Sequence, residues 1–428
     1  MRWFHSYRMN PRDASCPREQ FFYNSLTSPD HLPARDRYHA AMKIVLLLLT
    51  ILSSLLHTAT AAPVPENPGT WEKRSSFLRG RIFHTAVWTY SEMIVWGGGS
   101  EHQFYNDGGL YDPYKDRWRS MTEEGAPSPR WAHAAVWTGT EMLVWGGRSN
   151  FAAQDHKNDG ALYNPTTNTW RPISTQGAPT SRSQMAAVWT GNEFMVWGGM
   201  GDGGECPASG GSYNPQTDSW TSLAMDGAPE GRVEPACVWT GSEFIVWGGL
   251  LQGGTRSAGT GGIYNPDAKK WRPLPMDGAP KSARGVQSVW TGSEMLVWGG
   301  AHLEGEPLVN VGLNTGALYN PRTNSWKPTS VTGAPDGRMY YGASWTGDEL
   351  IVWGGGSHLI ANMNTGGRYN PATEKWTSTA IDGAPTGRGI LTSVWTGEGI
   401  LIYGGSTGGT AAFNETYFYS PTGKPPEK

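Results

Sequence analysis

The stretch GALYNPTTNTWRP at residues 160–172 sets a turn, Asn164-Pro165-Thr166-Thr167-Asn168, between two aromatic residues, Tyr163 and Trp170. Nearly the same text returns at 210–220, 261–271, 316–326 and 366–376. Upstream of each copy stands a second constant phrase, in its fullest form RWAHAAVWTGTEMLVWGG at 130–147. Its first Trp recurs as Trp88, Trp137, Trp189, Trp239, Trp290, Trp345 and Trp395, at spacings of 49 to 55 residues, so the chain holds seven units. A period in this range marks a stacked or radial repeat architecture.

Each unit predicts four short strands. Gly139-Thr140 between two apolar runs reads as a type II′ hairpin turn, with glycine at the position that needs a positive φ. In that register Ala135, Trp137, Met142 and Val144 share one face, while Ala134, Val136, Leu143 and Trp145 share the other. Both faces are apolar, so each sheet needs a neighbour on each side, and seven sheets in a closed ring supply them. Tyr and Trp of the quoted stretch flank the turn between the third and fourth strands and fill the gap between blades. The last unit ends at Tyr419-Ser420-Pro421 without its fourth-strand Trp, whereas Trp71 stands alone ahead of the first unit. The N-terminal segment is therefore expected to supply the outer strand of the last blade.

The Gly-Gly doublets after the second strand (97–98, 146–147, 198–199, 248–249, 299–300, 354–355 and 404–405), followed by the spaced Tyr and Trp, resemble the kelch repeat over residues 71–421. The resemblance implies an all-β, seven-bladed β-propeller of four-stranded antiparallel blades. Galactose oxidase and sialic acid mutarotase look like relatives by fold, which does not carry function across.

Composition agrees with short strands and tight turns. The 428 residues include 58 Gly and 22 Trp, with 17% charged residues. A net charge of -3 without a basic run argues against nucleic acid. Met42-Lys43, the apolar run 44–56 and Ala59-Thr60-Ala61 read as a signal peptide at 42–61, cleaved near Ala61. The run is too short for a membrane span, so the mature chain is expected to be secreted, periplasmic or displayed at the cell surface, as a monomer. Residues 1–41 read as an upstream mis-called start; the rival is a signal-anchored protein with a cytoplasmic tail. The mature domain is then 62–428.

Repeats separate scaffold from site without an alignment: a residue present in every unit serves the blade, and a varying one is free for a ligand. Glu92, Glu141, Glu193, Glu243, Glu294 and Glu349 share one hairpin position, and Arg81, Arg130, Arg182, Arg232, Arg338 and Arg388 share the start of the innermost strand. Both sets read as structural. In the fifth unit Ala283 takes the Arg register and Arg284 follows, which should turn its guanidinium to the opposite side of the strand. The second-to-third-strand loops vary in length and text, so the site is expected on their face.

Between the shared Arg and the first Trp, the units present His84, Trp131, His133, Gln184, Glu234, Arg284 and Tyr340 among others, at the rim of the central channel. These are the candidate ligand-binding residues. Trp131 beside polar groups would suit a sugar, whose C–H face stacks on an aromatic ring; it could equally pack against a neighbouring loop. Glu234 and Arg284 are the candidates for proton transfer on a sugar hydroxyl. Cys206 and Cys237 remain after the leader and could form a disulfide pinning a loop over the channel, or stay as two thiols. His102, His302 and His358 follow their doublets at similar offsets but lack close carboxylates, so no metal and no cofactor is expected. The reading favours a binding module for a protein or glycan; the alternative is a carbohydrate-active enzyme of epimerase or mutarotase type.

Overall fold

The computed structural model describes residues 67–101, 103–150, 154–251, 256–281, 284–304, 309–357, 362–408 and 411–424. The leader at 42–61, residues 1–41, His102, Ala283 and His358 lie outside them. The described chain forms seven four-stranded antiparallel sheets, with one 3-10 turn at Asp202–Gly204. In the second blade the strands are Ala134–Trp137, Met142–Trp145, Gly160–Asn164 and Thr169–Pro172, in that order from the channel outward. Trp137 pairs with Met142 and Ala135 with Val144, the register that places apolar side chains on both faces.

The expected ring closure is present. Thr70–Arg74 pairs antiparallel with Thr416–Ser420, and Trp71 lies opposite Tyr419 as Trp170 lies opposite Tyr163. The first strand thereby completes the last sheet, and no blade is left short of an outer strand.

The repeated Tyr and Trp now have a reason. Within each blade they meet at a tilt across the outer hairpin, as Tyr163 and Trp170 do at 5.1 Å between centroids. Between blades, the fourth-strand Trp meets the second-strand aromatic of the preceding blade, from Trp96–Trp170 at 5.5 Å round to Trp353–Trp71 at 5.1 Å and Tyr403–Trp118 at 5.3 Å. Each such indole also donates to a backbone carbonyl of the preceding connection: Trp170 Nε1 to Thr122 O at 3.0 Å, Trp220 Nε1 to Ser174 O at 2.8 Å. Apolar area, ring contact and a satisfied N–H thus coincide at every blade boundary.

The shared arginines are scaffold. Arg81, Arg130, Arg182, Arg232 and Arg338 are fully buried, and Arg388 nearly so. Each guanidinium donates to the carbonyl of its own Gly-Gly doublet, for example Arg130 Nη1 to Gly146 O at 3.1 Å and Arg232 Nη1 to Gly248 O at 3.2 Å. Arg81, Arg130 and Arg388 add carboxylate partners in Asp107, Asp159 and Glu415. Arg182, Arg232 and Arg338 have neutral acceptors, and burial lowers each to about 10.

The hairpin turn at the first strand pair carries a local defect. Six blades use glycine there, with φ between 98 and 108° (Gly139, Gly191, Gly241, Gly292, Gly347 and Gly397), but the first uses Tyr90 at φ 74°. Tyr90 is 80% exposed, so its ring contributes little burial to offset the strain. Tyr90→Gly is expected to stabilise the protein by about 0.5–1 kcal/mol, measured as a raised midpoint in urea.

Candidate functional site

The candidate residues sit at a ring of backbone strain around the channel. Phe83, Ala132, Gln184, Glu234, Gly285, Tyr340 and Ile390 occupy equivalent positions and all adopt positive φ, between 51 and 58°. Their amides link blade to blade: Ala132 N to Phe83 O at 3.0 Å, Gln184 N to Ala132 O at 2.9 Å, Glu234 N to Gln184 O at 3.0 Å, Tyr340 N to Gly285 O at 3.2 Å and Ile390 N to Tyr340 O at 2.8 Å. Holding non-glycine residues left-handed costs roughly 1 kcal/mol each, offset here by hydrogen bonds that stitch neighbouring blades. The strained turn aims these side chains over the channel rather than into a blade.

Four of the candidates converge. Gln184 Nε2 donates to Glu234 Oε1, and Tyr340 Oη lies 3.0 and 3.1 Å from the two Glu234 oxygens. Arg284 Nη2 donates to Tyr340 Oη, and its Nε stands 3.5 Å from Glu234 Oε2. The out-of-register Arg284 has thus turned to the channel. Its side chain and that of Glu234 are 12% and 11% exposed. Burial works to lower the Arg284 pKa, and Glu234 with Tyr340 more than offsets it, so the net shift is upward. Burial, then Glu234, push the Tyr340 phenol up, keeping it a proton donor. Tyr340 reaches Glu234 across the fifth blade because that blade has Gly285 at the ring. A Cβ there would come within 3.1 Å of the Tyr340 ring.

The remaining candidates take other places. Trp131 is 6% exposed: the Arg148 guanidinium carbon lies 4.2 Å from its ring centroid, Phe83 meets it edge-on at 4.6 Å, and Phe104 stacks at 6.0 Å. The loop-packing reading of Trp131 therefore describes it, and its ring is covered as a sugar platform. His84 and His133 are wedges between blades. His84 Nε2 pairs with Thr392 Oγ1 at 2.8 Å and His133 Nε2 with Thr85 Oγ1 at 2.7 Å, each ring edge-on to Tyr403 or Trp96.

The disulfide does not form; Cys206 and Cys237 are both free. Cys237 points between inner strands, its Sγ 3.5 Å from Ala187 O, and burial raises the thiol to about 11. Cys206 is held elsewhere, its carbonyl packed on Gly231, where a Cβ would stand 1.9 Å from that oxygen.

Sequence reasoning missed Phe83, Gly285 and Arg148. Phe83 precedes His84 and Gly285 follows Arg284 in the span between the shared Arg and the first Trp, and their signal was position alone. Arg148 follows its Gly-Gly doublet and offered none. Among the described residues, no group of three or more His, Cys, Asp or Glu could hold a metal ion, and no helix is long and apolar enough to cross a membrane.

Burial of the two histidines has a consequence in acid. Desolvation lowers the pKa of His133 from 6.5 to about 3, and lowers that of His84 well below its ordinary value. The unfolded chain then takes up these protons before the folded one. The contribution is complete above pH 6.5 and is lost as pH falls from there toward about 3. His133→Met, which copies Met185 of the third blade, is expected to flatten the dependence of the melting temperature on pH within that window.

The sequence profile described as the KLHDC2/KLHL20/DRC7 Kelch-repeats domain matches residues 83–239 and 234–424. No individual curated protein matches the chain.

Proposed function

The chain belongs to the kelch-repeat family, whose propellers are generally protein-binding modules, and on that footing we propose that it is exported and binds a protein partner through its variable-loop face. The observation that carries this is the contrast between the two faces of the ring. Every first-to-second connection has four residues, from 89–92 to 396–399, and the third-to-fourth connections repeat the same length. The second-to-third connections run from 97–107 in the first blade to 299–315 in the fifth, where Ala301–Glu304 and Val309–Gly312 form an added hairpin. In the fourth blade Arg232–Val233 pairs with Leu250–Leu251, and in the third the loop folds into the 3-10 turn. A scaffold that holds one face constant and diversifies the other presents a recognition surface.

A protein partner is preferred to a glycan because the Trp131 ring is already covered by Arg148 and Phe83. Binding is preferred to catalysis because Glu234 and Arg284 are engaged with each other, with Tyr340 and with Gln184. A general base or acid has to reach the substrate proton, and here each polar group faces another of the same chain.

The test uses a photo-crosslinking residue placed at Glu205 or Val309 on the variable face, or at Asp348 in the sixth blade's first-to-second turn on the opposite one. A discrete protein adduct from the first two and none from the third is expected. Adducts from Asp348 alone would overturn the choice of face. Sequencing the N-terminus of protein recovered outside the producing cell should give a start near Ala62, and retention of all material inside would overturn export.

A further inference from the structure

The four-residue turns that look purely structural hide a departure in the third blade. In three blades an arginine on the fourth strand fills the groove toward the next blade and binds the hairpin glutamate. Arg119 donates Nε and Nη2 to Glu92 at 2.9 and 2.8 Å, and Nη2 also to Pro165 O of the second blade at 3.1 Å. Arg171 does the same to Glu141 at 3.3 and 3.0 Å. Arg272 reaches Glu243 at 3.1 Å and crosses to Tyr319 Oη at 3.3 Å in the fifth blade.

The sixth blade reaches the same end from the other side of the rung. Thr377 stands where the arginine would be, and its cross-strand partner is Arg368, beside Glu349 at 3.6 Å and donating to Pro421 O of the last blade at 2.8 Å. In the fifth blade Lys327 is in register and turns to Glu374. Four grooves thus hold a guanidinium between a hairpin carboxylate and the following blade.

The third blade has the carboxylate and no cation. Its rung pairs Ser212 with Thr221, both too short to fill the groove, and Glu193 receives a hydrogen bond from Ser212 Oγ. Among the described residues no Lys or Arg pairs with Glu193. Lys270 across the boundary is engaged with Asp226 at 3.6 Å. The facing tyrosine has also lost its usual partner: Tyr163, Tyr213 and Tyr319 donate to Asn168, Asp218 and Asn324 five residues on, but Lys269 stands five residues after Tyr264. Pro266 occupies the place of Pro165 and Pro421 in its turn.

We propose that the groove between the third and fourth blades, framed by Glu193, Ser212, Thr221 and Tyr264, is a socket for an arginine side chain of a partner polypeptide. The planar fork of a guanidinium matches a carboxylate with two parallel hydrogen bonds, which an ammonium does not reproduce. The chain itself demonstrates that chemistry at the sister grooves. The socket lies on the face opposite the variable loops, so it adds a second contact surface and does not depend on the first.

The test is saturation-transfer NMR with N-acetylarginine amide as the probe, for which a single socket should give a dissociation constant on the order of 1–10 mM. Transfer to the arginine methylenes is expected in the wild type and in Glu205→Gln, with N-acetyllysine amide weaker. Thr221→Arg should place the chain's own guanidinium on Glu193, hold the melting temperature at or above the wild-type value and abolish the transfer. Glu193→Gln should abolish it without supplying a competitor. Transfer that survives undiminished in both variants, or no transfer in the wild type, would falsify the socket.

Discussion

Trp71→Ala is expected to destabilise the propeller by about 3–5 kcal/mol and to raise its susceptibility to proteolysis. The indole is 8% exposed, lies 5.1 Å from Trp353 and 4.8 Å from Tyr419, and donates Nε1 to Ala380 O at 2.9 Å. Equivalent contacts hold every other blade, but only here does the outer strand come from the far end of the chain. The pairing of Thr70–Arg74 with Thr416–Ser420 closes a loop of over 300 residues, so its loss also releases chain entropy. Trp170→Ala removes the same side chain within one hairpin and serves as the reference. Limited proteolysis should cleave Trp71→Ala in its first and last blades well before Trp170→Ala is cut. Equal resistance of the two variants would contradict closure by this strand.

Arg338→Met comes next, at about 3 kcal/mol, read as a lowered urea midpoint. The guanidinium is fully buried and donates to Asp336 O at 2.8 Å, Gly354 O at 2.9 Å, Thr365 O at 2.6 Å and Thr365 Oγ1 at 3.1 Å. Methionine keeps most of the volume, so the loss comes from acceptors left without donors in a site that excludes water. The fifth blade displays the consequence: its arginine has shifted to Arg284, and Thr315 Oγ1, the counterpart of Thr365 Oγ1, is buried with no hydrogen-bond partner among the described residues. A variant as stable as wild type would mean that these carbonyls are satisfied in another way.

The blade count, the hairpin register and the closing role of Trp71 were legible because each depends on local period. A two-residue alternation and a glycine that needs positive φ repeat every 49 to 55 residues, and the copies check one another. The structural role of the six register arginines was legible in the same way, though not their burial, and so was the turning of Arg284, since a one-residue slip on a strand reverses a side chain.

The site resisted. Trp131 reads in sequence as a platform for a sugar as readily as a loop-packing residue, yet its neighbours Phe83, Phe104 and Arg148 come from other turns and blades and cover it. His84 and His133 look like rim groups in sequence because they follow the ring residues. In space they point the other way, into the boundary with the preceding blade. The two cysteines remain as an even pair after the leader, which suggests a bond, and packing leaves both free.

The sequence by itself determined the repeat, the number of blades and the faces on which constant and variable segments lie, because strand alternation and turn chemistry act over a few residues. Only the tertiary structure decided which side chains meet. Tyr340 and Glu234, separated by 106 residues, touch because the ring curves them toward one channel and Gly285 leaves the space between them. Contacts across a closed ring follow from its curvature and from the bulk of each intervening residue, and no local period encodes either.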